Sequence, residues 1–411
     1  MGRAVEAALP AGETSWTQSL LWEERRLLSC SPPVAGSGKF HSAFVEAGGQ
    51  LLTCGKDING VGVLGQGDGE VESAVPRAVA GLGGVRICTV AVGFLHTQAC
   101  SDEGVAYSFG YGWFGALGNG DTANQNAPQV IEALRSVHIS VVAASDCFSL
   151  ALCKDGKLYS FGRNWYGQLG HGGRADQRTP RLVAALKGVR VSAMAAGRFH
   201  SLVLSDVGEV YSFGRGDVCN YSLILGNDDQ QDQLPIRALQ GVRVGGVAAG
   251  EYHSLVVSTA GTLYSFGQGR WGALGHGDRA DQRTPRLVAA LQGVRVSAVV
   301  AGSHHSLALS EGRVYSFGHS FGSRFKGQVS NCGPTGPLDL TTPRVIAELQ
   351  GVRFRSVAAG ECTSLGVTID GEVYGWGAGV VEGTGEQDPV LGLGLTEDQY
   401  VPLKYPGLRL Q

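Results

Sequence analysis

The stretch VRVSAMAAGRFHSLVLSDVGEVYSFG, residues 189–214, decides the fold. It contains three short, mostly apolar runs, at 189–196, 201–205 and 209–214, separated by a glycine turn and a short connection. Such runs bounded by turn residues are typical of β-strands. In two other units the second connection carries Asp-Gly, at 155–156 and 370–371. This dipeptide is favoured in tight hairpins because both central positions need positive φ. The stretch therefore predicts three antiparallel strands.

The same pattern recurs seven times along the chain. Tyr-Ser-Phe-Gly stands at 107–110, 159–162, 211–214, 264–267 and 315–318, with relatives at 52–55 and 374–377. A proline recurs in phase, at positions 76, 128, 180, 235, 285, 343 and 402. After Pro180 the run 181–186 predicts a fourth strand. Seven units of four strands predict an all-β, seven-bladed β-propeller with one four-stranded sheet per blade.

The two ends of the chain indicate how the ring closes. The last copy of the repeat stops at 407–411, just after its strand has begun, and its continuation lies at about 32–45. We therefore expect the N- and C-terminal segments to share one blade, which removes exposed sheet edges. Residues 32–411 form a single propeller in this interpretation, and residues 1–31 are an extension outside the repeat. The opening Met1 and the complete ring predict a stand-alone protein.

Composition limits the classes of partner and the compartment. Glycine accounts for 64 of the 411 residues, which suits many tight turns. The formal net charge is −3 and no basic stripe is present, so we expect no direct contact with nucleic acid. Nine scattered cysteines without a Cys-x-x-Cys pair predict reduced thiols in a cytosolic or nuclear compartment. Of these two compartments, we expect the cytoplasm rather than the nucleus. No apolar run is long enough for a membrane span. We also expect the protein to be a monomer.

Functional residues are expected where the repeats differ. The first variable residue of each Gly-x-x-His-like turn should lie near the mouth of the central channel, because seven similar units are arranged around one axis. These positions are Lys39, Phe94, Asp146, Arg198, Glu251, Ser303 and Glu361. We predict that they contact a protein partner; the alternative is a ring of solvated side chains. In the long loop 321–340, Arg324, Phe325 and Lys326 place an aromatic between cations, which fits either an interface anchor or an exposed surface loop.

The sequence predicts no catalytic, cofactor-binding or metal-binding site. The G-x-G-x-x-G matches at 110–115 and 267–272 are followed by Leu-Gly and a proline, so no helix can begin there to hold a pyrophosphate. The repeated histidines 41, 96, 200, 253 and 305 could be metal ligands or bases. Phe148 replaces one of them, which favours a structural role in holding backbone. The aromatics Trp113, Trp165 and Trp271 are interpreted as packing residues. We predict no catalytic residue, no cofactor and no metal.

The repeat anchors resemble those of a known family. Tyr-Ser-Phe-Gly, the run GQLGHG at 167–172 and Thr-Pro-Arg at 179–181 are similar to the regulator-of-chromosome-condensation repeat, over about 32–411. The resemblance implies a seven-bladed propeller that binds another protein. Members include an exchange factor for the GTPase Ran, a plant UV-B photoreceptor and modules of ubiquitin ligases.

The residues at the turn positions distinguish among these functional classes. The photoreceptor class carries Trp at the first variable turn position, and this chain has none there, so UV-B sensing is not expected. The exchange-factor class uses acidic turn residues, to which Asp146, Glu251 and Glu361 correspond, but the third unit shows no inserted wedge. We therefore predict a non-enzymatic protein-interaction platform. The alternative is a guanine-nucleotide exchange factor for a Ran-like small GTPase.

Overall fold

Seven antiparallel sheets follow one another along the chain as the blades of a β-propeller. The structure is a computed structural model that describes residues 34–67, 72–214, 235–319, 339–377, 391, 393 and 399–410. Each blade is a meander of consecutive strands, and six sheets have four described strands. Blade 4 has three, and a bridge between Tyr211 and Pro235 lies where its fourth strand pairs. The predicted all-β fold with seven blades is confirmed.

The strands are numbered in chain order, four to a blade except for three in blade 4. They are β1 (Ala35–Ser37), β2 (His41–Val45), β3 (Leu51–Lys56), β4 (Glu72–Ala78), β5 (Ile87–Val92), β6 (His96–Ser101), β7 (Ala106–Gly110), β8 (Gln125–Val130), β9 (Ile139–Ala144), β10 (Phe148–Cys153), β11 (Leu158–Gly162), β12 (Gln177–Leu182), β13 (Val191–Ala196), β14 (His200–Ser205), β15 (Val210–Gly214), β16 (Val244–Ala249), β17 (His253–Ser258), β18 (Leu263–Gly267), β19 (Gln282–Leu287), β20 (Ala298–Ala301), β21 (His305–Ser310), β22 (Arg313–His319), β23 (Asp339–Val345), β24 (Phe354–Ala359), β25 (Thr363–Thr368), β26 (Glu372–Gly377) and β27 (Gln399–Arg409).

Short 3-10 helices connect parts of the blades. They span Ile58–Gly60, Trp113–Gly115, Glu132–Leu134, Ala184–Leu186, Arg237–Leu239, Ala289–Leu291 and Ala347–Leu349. In the part of the chain that the structure describes, no helix is long and apolar enough to cross a membrane.

The fourth strand lies earlier than predicted. In blade 3 it is β12, Gln177–Leu182, and the segment Ala184–Leu186 is a 3-10 helix. The prediction of a strand over 181–186 was therefore wrong. Pro180 is tolerated inside β12 because this strand is the outer edge of its sheet. Val183 and Leu186 are 3% and 5% exposed, and their spacing of three is the period of a 3-10 turn.

Both ends of the chain contribute to the inner strand of blade 1. The short strand β1 pairs with β2, and Ser37 stands opposite Ser42. At the other end of β2, Glu46 forms an antiparallel bridge with Leu410. In blade 4 the inner strand begins at the equivalent point, where Val191 stands opposite Ser205. The prediction of a shared blade is thus confirmed, with Leu410 completing a sheet otherwise built from N-terminal residues.

The core is divided among the interfaces between blades. The third residue of the Tyr-Ser-Phe-Gly motif is completely buried in every blade; it is Cys54 in blade 1 and an aromatic in the other six, as Phe109, Phe161, Phe213, Phe266, Phe317 and Trp376. Each packs against residues of the preceding blade; Phe109, for example, contacts the cluster around Ala43, Val45 and Leu51. Burying one such side chain contributes about 1.5–3 kcal/mol. Because a blade alone cannot bury this face, the ring stabilises its own units.

The remaining residues of the motif hold the loop that follows it. The Ser160 hydroxyl donates to the Leu169 carbonyl at 2.7 Å, and Ser108 and Ser265 make the same bond in their blades. The final Gly162 has a φ of 102°, and a Cβ there would lie 2.5 Å from the Cys147 carbonyl oxygen. The motif therefore directs the loop between the third and fourth strands onto the face that carries the Gly-x-x-His turns.

Candidate functional site

One cavity of about 130 Å³ lies where the seven Gly-x-x-His-like turns meet. Three residues from each blade line it, so the whole ring contributes. All seven predicted turn positions are among them: Lys39, Phe94, Asp146, Arg198, Glu251, Ser303 and Glu361. The structure thus brings together residues that are up to 322 positions apart in the sequence. Whether a partner contacts them stays a prediction.

Glycine is favoured in these turns because neighbouring blades touch there. A Cβ on Gly197 would lie 2.5 Å from the Gly250 carbonyl oxygen, and one on Gly250 would lie 2.5 Å from that of Gly302. Both distances are far below a normal van der Waals contact. Blade 3 carries Ser145 instead, and its hydroxyl donates to the Gly197 carbonyl. The turns therefore form a closely packed ring of backbone below the cavity.

A second ring, of side-chain hydrogen bonds, links each blade to the next. In five junctions a histidine Nε2 meets a Ser or Thr hydroxyl of the following blade: His41–Thr97 at 2.8 Å, His96–Ser149 at 2.9 Å, His200–Ser254 at 2.8 Å, His253–Ser306 at 2.8 Å and His305–Ser364 at 3.1 Å. At the other two junctions, Ser145 reaches Gly197 and Thr363 reaches Ser37.

These histidines have the structural role that the sequence favoured, but their partners are hydroxyl groups rather than backbone. All five are buried. Burial lowers the pKa of His41, His200, His253 and His305 to about 3 and that of His96 to about 4, so the rings are neutral at neutral pH. Among the described residues, no group of three or more His, Cys, Asp or Glu side chains is arranged to hold a metal ion.

Charged residues at the cavity form two internally paired sets. Arg198 lies between Asp146, whose Oδ2 is 3.6 Å from its Nε, and Glu251, to which its Nη1 donates. Arg163 approaches Asp146 from the other side, 3.9 Å from the same oxygen. On the opposite side of the cavity, Lys39 Nζ lies 3.5 Å from Glu361 Oε1. The ring therefore presents prearranged ion pairs rather than isolated charges.

Burial changes the pKa of two carboxyl groups at the cavity more than their ion-pair partners do. It raises the pKa of Asp146 in spite of the two arginines, and it raises the pKa of Glu361 in spite of Lys39. Arg198 shows the opposite balance: burial lowers its pKa, but Glu251 and Asp146 outweigh burial and raise it. An incoming charged group would therefore compete with pairs that already exist.

Aromatic side chains extend from this charged ring across the same face. We call them the aromatic crescent: Tyr111, Trp113, Phe114, Trp165, Tyr166, Phe199, Tyr252, Trp271, His304 and His319. The crescent has two halves, from Tyr111 to Trp165 and from Tyr166 to His319. Within each half, neighbouring ring centroids are 5.0–6.0 Å apart; Trp113–Phe114 is 5.0 Å and Tyr252–His304 is 6.0 Å. Arg163 joins the two halves, 3.9 Å from the Trp165 ring and 5.9 Å from the Tyr166 ring.

Trp113 and Trp165 pack on neighbouring rings, as interpreted from the sequence, but one face of each stays open to solvent. They are 55% and 48% exposed, although they contact other rings. Sequence reasoning missed the crescent because it compared only the first variable residue of each turn. The second variable residue is aromatic in four of the seven turns, as Phe40, Phe199, Tyr252 and His304. That signal, together with the residues after Tyr-Ser-Phe-Gly, would have indicated the surface.

The backbone at the middle of the crescent is strained. Phe114 has a φ of 57°, a left-handed conformation that costs a non-glycine residue about 1–3 kcal/mol. Its ring lies between Trp113 and Trp165. Strain of this kind concentrates at functional sites, where the surrounding structure maintains it. The predicted loop residues Arg324, Phe325 and Lys326 lie outside the described residues.

Comparisons with known proteins agree on the fold. The sequence pattern of the RCC1-like domain matches residues 59–406. Ultraviolet-B receptor UVR8 of Arabidopsis thaliana is 33% identical over 374 residues, which cover 90% of this chain and 80% of UVR8. The ubiquitin ligase HERC2 of Homo sapiens is 33% identical over 341 residues, 81% of this chain but only 7% of HERC2.

Solved structures show the same arrangement. Prp20p of Saccharomyces cerevisiae, described with its binding to Gsp1p and histones, superposes with a TM-score of 0.72 and 25% identity. The match covers 94% of this chain and 89% of that one. Human WBSCR16 superposes with a TM-score of 0.70, 22% identity and coverage of 84% and 92%, which shows a shared fold alone.

Proposed function

Because this chain belongs to the family of RCC1-like domains, we propose that it binds a protein partner through the face that carries the cavity, with Trp113 and Trp165 as anchors. The protein acts by binding rather than by chemistry of its own in this proposal. The observation that carries it is the exposure of two tryptophans within the aromatic crescent.

Exposed tryptophans in such a setting are typical of binding anchors. Trp, Tyr and Arg are the residue types most enriched among energetically dominant interface positions. Here Arg163 stacks on Trp165 and also contacts Phe114, whose ring in turn contacts Trp113. The aromatic rings support one another, so little side-chain freedom remains to be lost on binding. Rigid aromatic groups next to a fixed cation suit a preformed docking surface.

The charged ring contributes orientation rather than most of the affinity. Asp146, Arg198 and Glu251 are already paired and 36% exposed or less. Fixed charges beside an apolar surface determine the register of a partner and suppress wrong ones. We therefore assign affinity to the aromatic crescent and selectivity to the ion pairs.

Removing the two anchors is expected to abolish capture of the partner. The full-length wild type and the Trp113→Ala/Trp165→Ala variant would be immobilised in parallel, and the proteins each retains from cell extract quantified by mass spectrometry. Loss of two anchors should weaken the specific partner by about 30-fold or more. Both side chains are about half exposed, so the melting temperature should change little.

Val207→Ala is the matched control for this experiment. Val207 is 64% exposed and lies in the hairpin between β14 and β15, at the opposite end of the strands from the turns. It should leave capture unchanged. Equal retention of every protein by the wild type and the double variant would overturn the proposal.

A second candidate is guanine-nucleotide exchange on a small GTPase. It is favoured by the similarity to Prp20p, which binds Gsp1p. In this case the full-length chain should accelerate GDP release from one member of a panel of small GTPases, Ran included. Asp146→Asn should remove the acceleration, whereas Asp206→Asn in the β14–β15 hairpin should not. Absence of acceleration with every GTPase would eliminate this candidate and leave the binding proposal intact.

A further inference from the structure

In blades 2, 3, 4, 5 and 7 the inner strand begins with an irregular pairing. In blade 2 the register between β5 and β6 shifts between Ile87 and Thr89, so that Cys88 is the bulged residue. In blades 3 and 4 the same shift leaves Ser140 and Ser192 at this place. A bulge makes two residues on one strand oppose one residue on the other. Cys88 and Thr89 thus both face Cys100.

Other blades show which residues can occupy the bulge and the position opposite it. Ser140 donates to the Leu152 carbonyl at 3.0 Å, and Ser192 donates to that of Leu204 at 3.2 Å. The residue opposite is a buried leucine in both blades. Blade 6 repeats the arrangement with Ser297 and Leu309. The fold is therefore compatible with a serine at the bulge and a leucine opposite it, and it needs a cysteine at neither position.

Blade 2 has a thiol at both places. Cys88 Sγ lies 3.4 Å from the carbonyl oxygens of Cys100 and Ser101. Cys100 Sγ also lies 3.4 Å from the Ser101 oxygen, and 3.1 Å from that of Ile139. Both sulfur atoms thus approach one oxygen atom, and the two thiols contact each other. Cys100 stands directly opposite Thr89, and Cys88 is the bulged residue beside that pair, so the shared Ser101 oxygen rather than a direct pairing brings the two sulfur atoms together.

The two thiols differ in access and in acidity. Cys88 is half-buried, whereas Cys100 is fully buried. The hydrogen bond with Cys100 lowers the pKa of Cys88, and the same bond together with burial raises the pKa of Cys100. The more accessible thiol is therefore also the more easily ionised one, as expected of a residue that reacts first with an oxidant.

We propose that Cys88 and Cys100 form a modification site, at which a peroxide produces a reversible disulfide between β5 and β6. The Cys88 thiolate attacks a peroxide oxygen, the O–O bond breaks, and the released hydroxide takes up a proton to leave as water. Cys88 is then a sulfenic acid. The Cys100 thiol attacks that sulfur, the S–O bond breaks, and its proton leaves with the hydroxyl group as a second water. Two thiols are oxidised by two electrons, and one peroxide is reduced.

Peptide mapping of the native full-length chain tests this proposal. The protein would be treated with hydrogen peroxide, blocked with an alkylating reagent and digested with chymotrypsin, which cleaves after Phe94 and so separates the two cysteines. We expect a linked pair of peptides, lighter by two hydrogen atoms than their sum and separated by dithiothreitol. Cys147 is also half-buried, and burial raises its pKa to about 12. Cys88 should therefore react more than about tenfold faster than Cys147.

Variants that copy the other blades keep the test independent of folding. Cys88→Ser and Cys100→Leu introduce the residues that blades 3, 4 and 6 carry at these places, so the fold should be retained. With Cys100→Leu, Cys88 should stop at the sulfenic acid and proceed to irreversible oxidation. With Cys88→Ser, Cys100 should remain a thiol. A wild-type protein in which Cys88 is over-oxidised, links to a different cysteine, or reacts no faster than Cys147 would contradict the proposal.

Discussion

Acidification from about pH 7.5 to about pH 5 is expected to destabilise this propeller severely. The five histidines of the interblade ring are buried, and burial lowers the pKa of each to about 3 or 4. The ordinary value of 6.5 returns when the chain unfolds. Below pH 6.5 the unfolded chain therefore binds more protons than the folded one, and the free energy of unfolding falls as the pH falls.

The magnitude is comparable to the stability of a whole domain. The stability contributed by the neutral rings is complete above pH 6.5 and is lost progressively towards pH 3–4. At about pH 5 each ring lowers the free energy of unfolding by about 2 kcal/mol, and five rings by about 10 kcal/mol. Typical domains have about 5–15 kcal/mol in total. Asp57, Asp146 and Glu361 act in the opposite direction, because burial raises the pKa of each, but these three carboxyl groups oppose five histidines.

Urea unfolding at a series of pH values measures this directly. The midpoint should fall steeply below pH 6.5, and the slope should correspond to several protons taken up on unfolding. His253→Phe is the matched variant, because Phe148 occupies the equivalent place in blade 3. It removes one titrating ring and should make the slope shallower. A free energy of unfolding that stays constant between pH 7.5 and pH 5 would show that the rings are not held neutral.

Gly250→Ala is expected to destabilise the ring of turns strongly. The added Cβ would lie 2.5 Å from the Gly302 carbonyl oxygen of the next blade and 2.5 Å from Cε1 of His253. Neither group is a flexible side-chain end, so the blades must separate to make room. Overpacking of this kind costs about 3 kcal/mol, the upper end of its usual range. Chemical denaturation should show the corresponding loss in the free energy of unfolding.

Gly173→Ala is the control for this prediction. A Cβ at Gly173 meets nothing within 4 Å. It should change the free energy of unfolding by less than about 0.5 kcal/mol, like most exposed substitutions. Two equally stable variants would mean that the turns do not pack as the structure shows.

Blade 3 supplies a natural comparison for the same turn. There Ser145 and Phe148 replace the glycine and the histidine together. A Cβ on Gly197 or Gly250 would meet Cε1 of the histidine three residues later, which explains why the two changes occur in one blade. In a double-mutant cycle, Gly250→Ser combined with His253→Phe should therefore lose less stability than the sum of the single variants. Additive losses would contradict the coupling.

The amino-acid sequence by itself determined the architecture. The regular spacing of Tyr-Ser-Phe-Gly and of its partner motifs implied seven similar sheets, because each unit has an apolar face that only a neighbour can bury. It also determined that the seven variable turn residues share one face, since identical units around one axis place identical positions together. The structural role of the histidines followed from the replacement by Phe148.

Only the tertiary structure decided the interactions between units. Phe114 and Trp165, or Lys39 and Glu361, meet across blade boundaries, and no local pattern specifies the path of the loops that carry them. The same holds for Leu410, which completes the inner strand of the first blade through a single bridge. The physical reason is that the sequence repeat specifies only the structure that all blades share. Contacts between side chains that differ from blade to blade depend on distances that arise only when the ring closes.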